Sequence, residues 1–113
     1  MVVSLLLLYK DKILKEISEE FPLIDSDLIE IILFGSVARD DFSPLSDIDL
    51  LLITENKKTT RKLFSHFRET IFAETGVVIP AIYLTPKEFE NAIEPLYETI
   101  KEEGKIIWEK RTK

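Results

Sequence analysis

Two apolar runs of strand-forming residues, each abutting a polar cluster with its own chemistry, constrain this chain more than any other feature. The first, Leu28-Ile29-Glu30-Ile31-Ile32-Leu33-Phe34, stops abruptly at Gly35-Ser36, and the second follows from Asp47-Ile48-Asp49. Ten residues separate the two clusters. Short runs rich in Ile and Leu read as buried strands. Side chains two apart on a strand point to one face, so a strand over 47–53 aims Asp47 and Asp49 together and sends Ile48, Leu50 and Leu52 to the core. Hard divalent cations take oxygen ligands, commonly one or two carboxylates plus substrate phosphates. Gly35 lets the backbone approach a ligand closely, and a turn into a short helix over 36–40 offers N–H groups and the Ser36 hydroxyl to an anion. Together these parts suit a metal-bound nucleoside triphosphate.

Each part also has a plainer reading. Asp47 and Asp49 taken alone are solvated carboxylates, Ser36 is a helix cap, and Arg39 pairs with Asp40 or Asp41. For the aspartates and Ser36 the joint pattern sets the plainer readings aside, whereas for Arg39 phosphate contact and pairing with an aspartate both stand. Leu33-Phe34-Gly35-Ser36-Val37-Ala38-Arg39 followed by Ser46-Asp47-Ile48-Asp49-Leu50-Leu51 resembles the signature of the DNA polymerase β-type nucleotidyltransferases. It is most similar to the stand-alone minimal nucleotidyltransferases, with their Gly-Ser, ten residues, Asp-x-Asp. One position departs, Asp40, where a glycine usually follows the arginine.

The resemblance implies an α/β (α+β) nucleotidyltransferase fold, a small mixed sheet of three to four strands packed with helices. It implies Mg²⁺ and ATP as nucleotide donor, with Asp47 and Asp49 as catalytic metal ligands and Gly35, Ser36 and Arg39 around the nucleotide. It also implies a third carboxylate on a later strand. The candidate strand, residues 77–84, carries no Asp or Glu, and Pro80 stands about where that acid belongs. Glu74 precedes the strand, and Glu55 lies roughly 20 Å beyond Asp49 at ~3.3 Å per residue, too far to complete a cluster.

The remaining chain supplies helices. Leu6, Tyr9, Ile13, Leu14, Ile17 and Phe21 recur at helical spacing over 4–21, and Pro22 is expected to close that helix. Leu63, Phe64, Phe67 and Ile71 form the stripe of a second helix over 61–74, with Gly76 as its stop. Thr85-Pro86-Lys87-Glu88 reads as a capping box. The helix after it turns Phe89, Ile93, Leu96, Tyr97 and Ile100 inward, kinks at Pro95 and ends at Gly104, before a short edge strand at 106–108.

Length and charge narrow the function. With 113 residues the chain has room for a single domain, 1–113, and a core small enough to leave apolar surface for a partner or a second copy. A net charge of −6 argues against general nucleic-acid binding, which needs clustered Lys and Arg. No cysteine is present, so disulfides and thiolate metal sites play no part. The apolar start, Val2-Val3-Ser4-Leu5-Leu6-Leu7-Leu8, lacks a basic leader and falls far short of the ~20 residues that span a membrane, so a cytoplasmic protein is expected. His66 reads as a helix-surface or half-buried residue rather than a general base. Tyr83, Tyr97 and Trp108 read as core or interface.

The resemblance further implies an antitoxin whose partner is a helical HEPN-type RNase toxin, modified by transfer of AMP from ATP to a tyrosine. A module that neutralises its partner by contact alone is one alternative. A small-molecule enzyme of the aminoglycoside nucleotidyltransferase kind is another, disfavoured because the chain is too short for a further substrate-binding domain.

Overall fold

The computed structural model describes residues 2–35 and 48–111, with side chains from Lys10 onward. Elements run α1 (Val2–Ile24), β1 (Leu28–Phe34), β2 (Asp49–Thr54), α2 (Lys57–Thr75), β3 (Ala81–Leu84), α3 (Pro86–Asn91), α4 (Pro95–Glu103) and β4 (Lys105–Glu109). The sheet order is β3-β2-β1-β4. β1 pairs antiparallel with both β2 and β4, while β2 and β3 are parallel, so the sheet is mixed. Parallel neighbours need a crossover long enough to return the chain to the same end, and α2 supplies it.

Both faces of the sheet are covered, which is why β1 and β2 read as continuous apolar runs rather than alternating ones. Ile31, Leu33, Leu50 and Leu52 pack beneath α1 and α2 with Ile13, Ile17, Phe21 and Phe64. Leu51, Ile53 and Ile32 pack on the opposite face with Ile100 of α4. The α1–α2 contact is aromatic: the Phe21 ring lies 5.0 Å from Phe64 at 80° and 5.4 Å from Phe67. Edge-to-face rings at this separation add to the burial of their area.

Several boundaries depart from the sequence reading. α1 runs through Pro22 to Ile24. A proline in a last turn forfeits one hydrogen bond, and the fully buried Phe21 just before it holds the turn in place. The third strand is confined to Ala81–Leu84, because Pro80 has no N–H for a ladder. α2 begins four residues early, at Lys57, where Asn56 accepts the Thr59 N–H at 3.2 Å. Instead of one kinked helix, two short ones form, with Pro95 at the first position of α4. Ile93 and Leu96, expected inward, are exposed, since the break turns this segment away from the sheet. The capping box at Thr85 and the left-handed Gly76 ending α2 both form as read. Among the described residues no helix is long and apolar enough to cross a membrane.

Candidate nucleotide and metal site

The first strand carries its chain to one end of the sheet at Phe34, which lies opposite Asp49, the first residue of β2. Gly35 follows at φ +84°, a left-handed conformation that a Cβ makes costly. Its position demands glycine a second time. A Cβ built there would stand 2.6 Å from Oδ2 of Asp49. The Asp49 carboxylate therefore lies directly over the Gly35 backbone, and the missing side chain is the space it occupies. Asp49 itself is half-buried, on the face of β2 shared with Leu51 and Ile53, while Ile48, Leu50 and Leu52 point to the α1–α2 core. The expected division between carboxylate face and core face of β2 thus holds for Asp49.

The third strand enters beside this carboxylate. The Leu50 N–H donates to the Pro80 carbonyl at 3.1 Å, and Leu50 pairs with Ala81. One step back along both strands brings Asp49 level with Pro80. The place where a third acid is expected is accordingly filled by a residue without a charged group. Glu55 sits at the far end of β2, its N–H donating to the Asp27 carbonyl, and does not approach Asp49. Among the described residues no group of three His, Cys, Asp or Glu could hold a metal ion. His66 is exposed on α2, as read. Ser36, Arg39 and Asp47, with the short helix expected at 36–40, lie outside the described residues. Of the five residues singled out in sequence, the structure therefore brings Gly35 and Asp49 together.

What the pair can do chemically follows from its donor set. Asp49 presents a hard oxygen ligand at a strand terminus, and Gly35 keeps the surrounding backbone close and unobstructed. That is a fit for Mg²⁺, which is held by few carboxylates and completes its shell with phosphate oxygens and water. Residues 10–107 match the family described as nucleotidyltransferase domain. The chain belongs to the nucleotidyltransferases. Relatives agree with that membership. A Methanocaldococcus jannaschii protein provisionally named as a protein adenylyltransferase is 33% identical over 105 residues, covering 88% of this chain and 69% of that one. A crystal structure of a provisionally assigned nucleotidyltransferase of Sulfolobus solfataricus superposes with a TM-score of 0.59 at 23% identity, over 92% of this chain and 86% of that one. A toxin–antitoxin crystallised with AMP-PNP superposes with a TM-score of 0.57 at 19% identity, over 89% of this chain and 73% of that one. These two likenesses are of fold. As a nucleotidyltransferase the chain is a transferase, and its mixed four-stranded sheet is the expected architecture.

Proposed function

We propose that this domain transfers AMP from ATP to a partner protein, with Mg²⁺ held by Asp47 and Asp49 and the triphosphate seated against Gly35, Ser36 and Arg39. The observation that carries the reading is the seating of the Asp49 carboxylate over a glycine that tolerates no Cβ. The named activity of the Methanocaldococcus jannaschii relative supports a protein as acceptor. The toxin–antitoxin neighbour supports a toxin as the partner, and the resemblance in sequence implies one of HEPN type. Such a pair would act in the cytoplasm, where ATP is available.

In the transfer an acceptor hydroxyl oxygen forms a bond to the α-phosphorus. The bond from that phosphorus to the bridging oxygen of the β-phosphate breaks, pyrophosphate leaves with the electron pair, and the hydroxyl proton passes to solvent. Bound Mg²⁺ supplies charge neutralisation for the attacking and leaving oxygens. Asp47 and Asp49 fix its position, and Gly35 with Ser36 orients the phosphates through backbone N–H groups and a hydroxyl. Pro80, level with Asp49 where a third acid is expected, offers no carboxylate to take the acceptor proton. This favours a second reading, a module that binds nucleotide and neutralises its partner by contact.

Thermal unfolding with Mg²⁺ and each nucleoside triphosphate tests the binding step. At a hundredfold excess over Kd a ligand stabilises by ~2.7 kcal/mol, which in a domain of this size raises Tm by roughly 10 °C. Asp47→Asn/Asp49→Asn is expected to abolish the shift. No shift with any nucleotide at millimolar concentration overturns the reading. Label from α-³²P-ATP appearing on the partner separates transfer from masking, because masking survives the double substitution and labelling does not.

A further inference from the structure

β3 is an edge strand. Its inner side pairs with β2, and among the described residues its outer side has no ladder partner. In a parallel pair successive residues alternate between bonding inward and facing out. The Leu50 N–H bonds the Pro80 carbonyl with Leu50 opposite Ala81, so the backbone groups of Ala81 and Tyr83 face outward. The Ile79 carbonyl shares that phase, and it is already occupied: Arg68 Nη1 donates to it at 3.0 Å.

A groove follows this edge. Its floor is the outer side of β3, one wall is α2 with Arg61, Ser65 and Arg68, and Tyr97 of α4 closes the other side. Arg61 lies over the Tyr83 ring at 5.1 Å, at the strand's downstream half, while Arg68 sits at its start. Among the described residues these arginines are the only charged ones lining this stretch of the groove, in a chain whose net charge is −6. Past Arg68 the groove continues into a mostly apolar hollow lined by Glu69, Phe72, Val77, Val78 and Ile79, where Phe72 and Val78 are more than half exposed.

We propose that the outer edge of β3 receives an extended acidic segment of a partner protein, added as a fifth strand. The ladder supplies affinity through the outward N–H and C=O groups of Ala81 and Tyr83, and the side chains supply choice. Tyr83, Ala81, Ile79 and Val77 share the face toward α2, so residues opposite them on an added strand share it too. An antiparallel segment then places one carboxylate opposite Tyr83 for Arg61, a second four residues later opposite Ile79 for Arg68, and an apolar side chain two further on over Val77 and Phe72. The incoming N–H takes the Ile79 carbonyl that Arg68 now caps, which releases the guanidinium to the carboxylate. A second copy of this chain is a poor occupant, because two-fold pairing of β3 edges would set arginines against arginines. The strand's starting end lies level with Asp49, so the segment runs to the candidate site. Docking itself needs neither nucleotide nor transfer.

A synthetic nine-residue peptide tests this, with Glu at positions 3 and 7, Leu at 9, Thr at 1 and 5 and Val between. Amide hydrogen exchange of the whole protein is followed as the peptide is added, without nucleotide. Slowing at Ala81 and Tyr83, with Ile82 and Leu84 unchanged, is the expected result. Replacing both Glu by Lys, or Arg61→Gln/Arg68→Gln in the protein, is expected to weaken binding about tenfold, as two exposed ion pairs are lost. Ala81→Pro, tolerated on an edge because the N–H faces outward, should remove protection at Tyr83 while leaving the fold intact by circular dichroism. No protection at millimolar peptide, or equal binding of the Lys peptide, overturns the proposal. So does protection by an oligouridylate in its place, which would assign the arginines to nucleic acid.

Discussion

The two ends of the sheet are built in opposite ways. Where β1 begins and β2 ends, polar groups are buried and matched. Thr60 Oγ1 donates to Asp25 Oδ2 at 2.6 Å, Thr54 Oγ1 lies 2.6 Å from Thr60 Oγ1, and Thr54 also bonds the Asp27 carbonyl and the Asn56 N–H. Asp25, Thr54 and Thr60 are almost wholly buried, yet the network ties α1, β1, β2 and α2 into one corner. Where β1 ends and β2 begins, the structure offers a left-handed glycine, a half-buried carboxylate above it and a proline that withholds an N–H. One end spends its polar groups on each other. The other, on the function proposed above, presents the Asp49 carboxylate to a ligand. Buried polar networks rigidify when complete, and loops carrying function are best held by a rigid scaffold.

Substitutions that act on one end and spare the other break or sharpen this contrast. Asp49→Asn carries the largest expected effect: label transfer falls ~10–100-fold or more, because losing the proposed direct ligand costs no less than losing the groups that orient one. Its check is the labelling assay, with the unfolding midpoint measured in parallel. Gly35→Ala is expected to cost about 2–3 kcal/mol through left-handed strain and collision with Asp49, and to remove the nucleotide-dependent Tm shift as well. Thr60→Val is expected to cost about 1–2 kcal/mol by stranding Asp25 Oδ2, with the nucleotide shift unchanged. If Thr60→Val altered nucleotide binding, the two ends would not be independent.

The smallest effect belongs to Glu109→Lys, at the matched end. Glu30 pairs with Glu109 across β1 and β4, and burial, then the Glu109 charge, holds the Glu30 carboxyl above its usual range. A carboxyl raised in the fold contributes stability that is complete below its unfolded value of 4.5 and is lost as pH rises through the raised one. Mild acid therefore relieves this pair. Glu109→Lys should add ~0.2–1 kcal/mol at neutral pH and flatten the dependence of Tm on pH from there down to the carboxylate range.

How legible the molecule is in its sequence differs by element. β1 is readable to the residue because both its faces are buried and turn residues bound it. The Thr85 capping box and the Gly76 stop are readable because each is a local chemical demand. Signals that depend on distant packing are not readable: α1 passing through Pro22, the exposed Ile93, and the corner formed by Asp25, Thr54 and Thr60, whose members lie far apart in the chain. At the site, the pattern of residues singles out Gly35 and Asp49, but not that one stands directly over the other. That contact arises from the pairing of Phe34 with Asp49, a register no local pattern encodes.

A sheet whose order is β3-β2-β1-β4 has two different margins, and among the described residues neither carries a further ladder. Pairing β3 of one molecule with β4 of the next would repeat without closing and grow as a filament. Against this stands mutual repulsion between molecules of net charge −6, which reaches about 10 Å at 0.1 M salt and only ~3 Å at 1 M. Colloidal behaviour should therefore worsen with ionic strength, and a segment lying along β3 would protect the protein from itself.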